Sequence, residues 1–493
     1  MKRIRTASIA TLGCKLNQSE SDQIARKLAE AGVTIVSFGQ PADLCLINSC
    51  TVTHIGDRKS RQLIRQATRD NPNAFVAVAG CYAELEPKAI SAIEGVSAVL
   101  GNAGKGRLLE TLREYSLELG TDVGAGGPAG PPPWDSAAVS SNERPSPTPG
   151  RADTAVRPYK LSGGDGDTHH SLHTRAFVKI QEGCDNRCSY CIVPKARGQQ
   201  RSLPAEEVLD EVRRLVTAGC QEVVLTGVNI TAYGRDYGSS SASEAARGFG
   251  LVRLLERILS DTDIPRVRLS SLQPEDWNHR FYELWTTGRL CRHLHLSLQS
   301  GSDAVLRRMR RRYNTGQYAR IVDEARRELP NVAITTDVIA GFPGESEAEH
   351  RETESFLRSI GFAGLHVFKY SPRTGTDAAT MADQVDPRLK QERSDRLIAL
   401  AEEMSGRFRA LLEGSVLSVL WEQPLAGSKV RGLGLEGRNG SIWWSGISDN
   451  YVRVYAAGPE SLRGTISGAR IGAIVGDGVL GTVTREQGLW TED

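Results

Sequence analysis

The 493-residue chain has no apolar run approaching the roughly 18–20 residues needed to cross a bilayer, and its opening residues, Met1-Lys2-Arg3-Ile4-Arg5, lack the apolar core of an export signal. It also lacks an excess of charge: 61 Lys plus Arg face 59 Asp plus Glu, a formal +2. Whole-molecule attraction therefore does not argue for nucleic acid, and any such surface has to be a local patch. Hydrophobic residues at 39% and charged residues at 24% are those of a soluble globular protein. Membrane, secreted and largely disordered readings are set aside, a cytoplasmic setting is expected, and the length allows about three or four domains.

What the chain does have is cysteine. Nine lie at 14, 45, 50, 81, 184, 188, 191, 220 and 291. An odd number without an export signal argues against a disulfide framework and for metal ligands or catalytic thiols.

The first segment, 1–120, alternates short apolar runs with helical patterns. Ile9–Leu12, Leu44–Ile47 and Phe75–Ala79 read as buried strands, and Ser19–Glu30 as a helix. Strand-then-helix repetition implies a small parallel α/β sheet with right-handed crossovers. Residues 121–170 are rich in Pro, Gly and Ser and read as a flexible linker; His169, His170 and His173 follow its pattern rather than that of a metal site. Over 171–411 six further strands are expected: Ala176–Ile180, Glu222–Thr226, Val267–Leu272, His293–Leu298, Ala333–Ile339 and Gly364–Tyr370. Ala205–Val216 and Gly316–Glu328 are among the helices between them. Six β/α units suit a partial parallel barrel with chemistry at the strand carboxyl ends, a doubly wound open sheet being the alternative. Arg235–Gly250 reads as an insertion. The tail, 412–493, suggests a small all-β barrel from Val416–Leu420, Ser441–Trp444, Tyr451–Tyr455 and Ile471–Val475.

Cys184, Cys188 and Cys191 have the spacing CxxxCxxC just after the first strand of the second series. Three thiolates this close can hold three irons of a [4Fe–4S] cluster and leave the fourth open. Zinc is the competing reading, but a structural zinc takes four ligands and none follows at a fitting distance. Cys14, Cys50 and Cys81 each follow an expected strand, 36 and 31 residues apart. In a parallel sheet the carboxyl ends share one edge, so three distant thiols can converge there. One such cysteine would read as core packing; three of three read as a second cluster site. Cys45, Cys220 and Cys291 are read as packing residues.

The CxxxCxxC loop and its place resemble the radical S-adenosylmethionine superfamily. Thr11–Glu20, Gly183–Gly198, His293–Gly301 and Phe368–Thr376 resemble, more closely, the methylthiotransferases within it. That resemblance implies an N-terminal domain with an auxiliary [4Fe–4S] cluster on Cys14, Cys50 and Cys81. It implies a radical barrel with a second cluster on Cys184, Cys188 and Cys191, and a C-terminal TRAM domain. It also implies S-adenosylmethionine contacts at Tyr190, Gly227, Asn229, Ser271 and Gly341. A tRNA substrate, a flavodoxin- or ferredoxin-type electron donor and a sulfur source are implied partners. Leu12–Gln18, Leu225–Ile230 and Arg268–Pro274 look most like the threonylcarbamoyladenosine branch. The expected reaction is methylthiolation of C2 of that base beside the anticodon, at position 37, with two S-adenosylmethionine consumed. Branches acting on isopentenyladenosine or on a ribosomal-protein aspartate are the near alternatives. A non-catalytic iron–sulfur or zinc RNA-binding protein is the distant one.

For RNA, Arg307–Arg312 is a dense basic run in which Arg310 and Arg311 are candidate phosphate contacts, with Lys195, Arg197 and Arg201 after the cluster loop; a solvated helix face is the competing reading. The tail holds seven Lys/Arg and nine Asp/Glu over 413–493, a net −2. A local face of Lys429, Arg431, Arg438 and Arg453, with Tyr451 or Trp443 to stack, would have to serve, unless the tail is a structural cap.

Overall fold

The structure is a computed structural model that describes residues 2–120, 174–237, 250–435 and 442–484. The Pro/Gly/Ser-rich linker, the three histidines at its end, most of the 235–250 insertion and Arg438 lie outside the described residues.

In the N-terminal part, Thr34–Val36, Thr6–Thr11, Leu44–Ser49, Phe75–Gly80 and Ala98–Leu100 lie side by side in that order, all parallel. Leu44–Ser49 and Phe75–Gly80 are buried at every position, which is why they are continuous apolar runs rather than alternating ones. The first helix spans Lys15–Glu30, four residues earlier than its apolar stripe suggests, with Cys14 in extended geometry at its N-cap. The helix His54–Asp70 is capped by the Thr53 side chain, which accepts from the Gly56 N–H.

The second part places Arg175–Lys179, Glu222–Thr226, Arg266–Leu269 with Ser271–Leu272, His293–Leu296, Ala333–Ala340 and Gly364–Lys369 in sequential parallel order. The order never reverses, so this is the partial barrel and not the doubly wound sheet. The third strand breaks at Ser270: its first half pairs with Glu222–Thr226 and its second with His293–Leu296. Outward residues such as Val178, Val223, Leu225, Val267, Leu294 and Leu296 join the core shared with the surrounding helices. The residues alternating with them (Arg175, Lys179, Glu222, Arg266, Arg268, His293, His295, Thr335, Asp337 and His366) belong to the opposite, inward face. The lumen is therefore charged and imidazole-lined. The edge of Arg175–Lys179 is met by the first helix, where the Ser19 hydroxyl accepts the Lys179 N–H at 3.2 Å.

The tail is a closed five-stranded barrel of Val416–Pro424, Ile442–Ser448, Arg453–Gly458, Ile466–Val475 and Gly478–Val483. The last strand, unforeseen from sequence, closes it by pairing parallel with Arg453–Gly458 and antiparallel with Ile466–Val475. Tyr451 belongs to a turn, not a strand: its φ is +66° and the Ser448 side chain and backbone close the turn onto Tyr451 and Val452. That turn seats on the amino ends of the barrel strands. The Arg268 guanidinium donates to the carbonyls of Ser448 and Asp449 at 3.0 Å each, Arg292 pairs with Asp449 at 2.7 Å, and Asn450 donates to the Asn331 carbonyl at 3.1 Å. No helix among the described residues is long and apolar enough to cross a membrane.

Candidate active site

The CxxxCxxC loop is held from three sides. Gly183, with φ +69°, brings the chain so close to the returning strand that a Cβ there would lie 1.9 Å from the Gln199 carbonyl, a position open only to glycine. The Cys184 N–H donates to the Gly198 carbonyl at 3.2 Å. Ser189 is fixed by the Arg308 and Met309 carbonyls, and its own carbonyl accepts from Ala378 N–H at 2.8 Å. Arg311 donates to Cys188 Sγ at 3.3 Å, and its guanidinium also reaches Gln273 and stacks over Tyr313 at 4.9 Å. Burial and then the neighbouring Cys188 push the Cys191 thiol up to about 12, and burial raises Cys184. Three half-buried thiols in one loop, with Arg311 beside Cys188, make a donor set that a metal of high charge would satisfy, and iron fits that demand. Among the described residues the grouping tight enough for one ion is His295, Asp337 and His366, not a cysteine set. A single tetrahedral zinc, with Zn–S near 2.3 Å, would draw its sulfurs to within about 4 Å of each other. The donor chemistry and the wider setting of the cysteines thus fit an iron–sulfur cluster.

The second thiol set rises from adjacent strands. Thr6–Thr11, Leu44–Ser49 and Phe75–Gly80 are neighbours, so Cys14, Cys50 and Cys81 share their carboxyl edge. Gly13 at φ +102° lets the backbone pass Cys50: a Cβ there would lie 2.9 Å from Cys50 Sγ. Burial, then the proximity of Cys81 and Cys14, push the Cys50 thiol up to about 12. This set too has the chemistry to hold a cluster.

The two sets are brought together by the packing of two five-residue helices. Val193–Arg197, which follows Cys191 almost directly, is a short helix that packs against Cys81–Leu85. Asn102 spans the seam, donating to the Ala196 carbonyl and to Cys81 Sγ at 3.7 Å. Arg197 is almost fully buried, donates to Glu20 at 3.0 and 3.2 Å and to Glu182 at 3.2 Å, and carries its charge to Cys81 and Cys14. A second clamp is Arg373, at 2.8 Å from Asp57 and 2.5 Å from Thr51.

Of the expected cofactor contacts, Tyr190 lies in the cysteine loop itself, while Gly227, Asn229, Ser271 and Gly341 lie on or just beyond the later barrel strands. Gly227 lies against Gln181, whose side-chain oxygen accepts the N–H groups of Val228 and Asn229 at 2.8 and 2.9 Å. Asn229 and Asn186 line a polar cleft of about 200 Å³ together with Asp185, Gln200, Arg235 and Arg312. Gly341, at φ +72°, starts a loop closed by Glu345, which accepts the N–H groups of Gly341 and Phe342 at 2.7 and 3.0 Å. Tyr190 meets Phe342 edge-on at 6.5 Å, linking that loop to the cysteines. Ser271 is half-buried on its two-residue strand beside His295.

The basic run divides rather than forming one surface. Arg308 pairs with Glu349 at 2.8 Å, exposed Arg310 pairs with Asp377, Arg311 turns inward to Cys188, and Arg312 reaches Asn186 at 3.0 Å. Lys429 and Arg431 lie on the short helix Gly427–Gly432, with Lys429 over the Tyr455 ring at 5.6 Å. Tyr451 is stacked on His293 at 4.3 Å and flanked by the Arg268 guanidinium at 5.0 Å, so its ring is engaged within the protein. Cys45, Cys220 and Cys291 are buried, and burial pushes the last two thiols up to about 11. Sequence reasoning missed the positioning role of Gln181 and the His295–Asp337–His366 cluster; the alternation His293-x-His295, polar on one face of a buried strand, was the available signal for the latter.

Residues 178–357 match the Radical SAM superfamily and residues 6–101 the Uncharacterized protein family UPF0004. The Threonylcarbamoyladenosine tRNA methylthiotransferase MtaB of Bacillus subtilis (strain 168) is 36% identical over 468 residues, covering 94% of this chain and 93% of that protein. Its namesake from Thermotoga maritima is 35% identical over 421 residues, 85% and 87% of the two chains. The tRNA-2-methylthio-N(6)-dimethylallyladenosine synthase of Frankia casuarinae is 35% identical over 421 residues, 84% and 71%. The barrel with its three-cysteine loop defines a radical S-adenosylmethionine enzyme. With the N-terminal thiol sheet beside it, the chain belongs to the radical S-adenosylmethionine methylthiotransferase family.

Proposed function

We propose that this enzyme methylthiolates C2 of N6-threonylcarbamoyladenosine at position 37 of tRNA, with a [4Fe–4S] cluster on each thiol set and two S-adenosylmethionine used per product. The observation that supports this most is the five-residue helix between the sets, which ties the barrel loop to the N-terminal thiols. Loaded, the two groups would supply reductive cleavage of S-adenosylmethionine at one site and sulfur for transfer at the other. The chain's own residues orient these functions. Arg311 holds Cys188 and balances charge there, Gln181 fixes the end of the second strand under the cleft, and Arg197 locks the two domains together beside the auxiliary thiols. An anticodon-loop base suits such a site because it can be splayed from its stack. Flavodoxin- or ferredoxin-type reduction, an external sulfur source and a cytoplasmic setting complete the proposal.

The test is a reaction with purified, anaerobically iron-reconstituted protein, S-adenosylmethionine, a reductant and a stem–loop RNA bearing threonylcarbamoyladenosine. Formation of the 2-methylthio nucleoside together with 5′-deoxyadenosine supports the proposal. Product from a dimethylallyladenosine stem–loop alone would move the substrate assignment to the other branch represented among the relatives.

A further inference from the structure

The barrel lumen holds a cation that neither thiol site accounts for. Lys15 follows Cys14 at the start of the first helix, and the ionisable groups that act most on it are Tyr451, Arg175, Arg268 and Asp337 of the barrel and tail. The cation facing Cys14 and Cys81 is Arg197. The Lys15 ammonium lies 5.9 Å from the Tyr451 ring centroid, and among the described residues no carboxylate pairs with it.

The nearby carboxylates are all committed elsewhere. Asp337 gives one oxygen to His295 at 3.2 Å and the other to His366 at 3.0 Å. Glu222, fully buried, is shared by Arg266 at 2.6 Å and Arg268 at 2.7 Å, and Arg175 has Glu422 at 3.4 Å. Arg175, Arg266 and Arg268 thus take up Glu422 and Glu222, Asp337 is taken up by two histidines, and no carboxylate is left for Lys15. An unmatched ammonium in a largely desolvated lumen is costly unless a ligand supplies the anion.

We infer that Lys15 receives the carboxylate of the substrate's N6 side chain inside the barrel lumen, and so sets the preference for an acidic modified adenosine. The inference rests on the substrate reading above. A threonylcarbamoyl group ends in a free carboxylate, whereas a dimethylallyl group is uncharged. C2 and N6 flank N1 of adenine on opposite sides, so a base presenting C2 to the thiol sets directs its N6 group away from them. A lysine matched to a carboxylate rejects the uncharged analogue because its own charge is then left without a partner.

The experiment uses three synthetic anticodon stem–loops, bearing threonylcarbamoyladenosine, its methyl ester or dimethylallyladenosine, with the reconstituted holoenzyme. Binding and single-turnover kcat/KM are measured for the wild type, Lys15→Gln and Lys15→Arg, with iron content checked in each. The wild type is expected to favour the acid over the ester by about tenfold or more, the scale of one charge-assisted hydrogen bond. Lys15→Gln should bring the two within about twofold, through KM rather than kcat, and Lys15→Arg should keep most of the preference. An indifferent wild type, or a Lys15→Gln enzyme that still prefers the acid, overturns the inference while leaving the reaction itself intact. Wild-type turnover of the dimethylallyl substrate alone overturns the substrate reading as well. Should Lys15→Gln lose iron, the wild-type comparison of acid and ester still decides.

Discussion

Arg197 and Glu20 meet across the seam between the N-terminal sheet and the barrel, both side chains almost wholly buried, at 3.0 and 3.2 Å. Lys105 at 2.6 Å and Lys179 at 3.1 Å complete the carboxylate's shell, and Lys179 and Arg197 share Glu182. This network fixes where the auxiliary thiols lie relative to the barrel loop. Removing one partner strands a buried charge, so Arg197→Ala should cost roughly 3–5 kcal/mol. A lowered urea midpoint would show it, accompanied by loss of activity out of proportion to loss of iron.

The same carboxylate sets a pH dependence. Burial alone would raise the Glu20 pKa, but Arg197, Lys105 and Lys179 more than offset it and hold the group well below the ordinary range. A depressed folded-state pKa contributes stability that is complete above the unfolded value, about 4.3, and is lost as pH falls from there toward the folded one. Unfolding midpoints should therefore be insensitive to this group from neutrality to about pH 5 and fall below that. Glu20→Gln should start lower and show a shallower acid limb; an identical limb in both proteins would contradict this.

Gly183→Ala should separate the two thiol sites. The added methyl group collides with the Gln199 carbonyl at a left-handed position, distorting the Cys184 loop but not the N-terminal sheet. The variant is expected to bind about half the wild-type iron, while a Gly183→Ala/Cys50→Ala double variant binds almost none. Full iron loading of the single variant would show that the loop tolerates the shift.

Arg311→Met removes both a hydrogen bond and a positive charge from Cys188 Sγ. Each of these favours the reduced, more negative cluster, so their loss should shift its potential to more negative values in an anaerobic redox titration. Arg311→Lys should shift it less. An unchanged potential in Arg311→Met would mean that this contact does not persist in the loaded protein.

How much of this was legible in the sequence depended on range. Apolar runs such as Leu44–Ile47 and Phe75–Ala79 announced their strands, and the repeated strand-then-cysteine pattern announced the shared edge, because both are local or follow from parallel topology. Arg311 was grouped with Arg310 as surface charge because composition cannot show that the chain reverses at Arg310, whose φ is +58°. Tyr451 resembled a stacking platform for RNA, and its actual neighbour, His293, is more than 150 residues away in the chain. Lys15 and Arg197 are likewise given meaning only by partners that the fold brings from other domains. The break at Ser270 and the final strand Gly478–Val483 depend on pairings that periodicity does not encode.

The central claim, that the two thiol sets act together on one tRNA base, is tested most directly by nucleoside mass spectrometry of bulk tRNA. The tRNA would come from a host lacking its own methylthiotransferases and expressing the wild type, Cys188→Ala or Cys50→Ala. The account predicts 2-methylthio-N6-threonylcarbamoyladenosine with the wild type and none with either variant. Product retained in either variant, or absent with soluble, iron-loaded wild type, would contradict it.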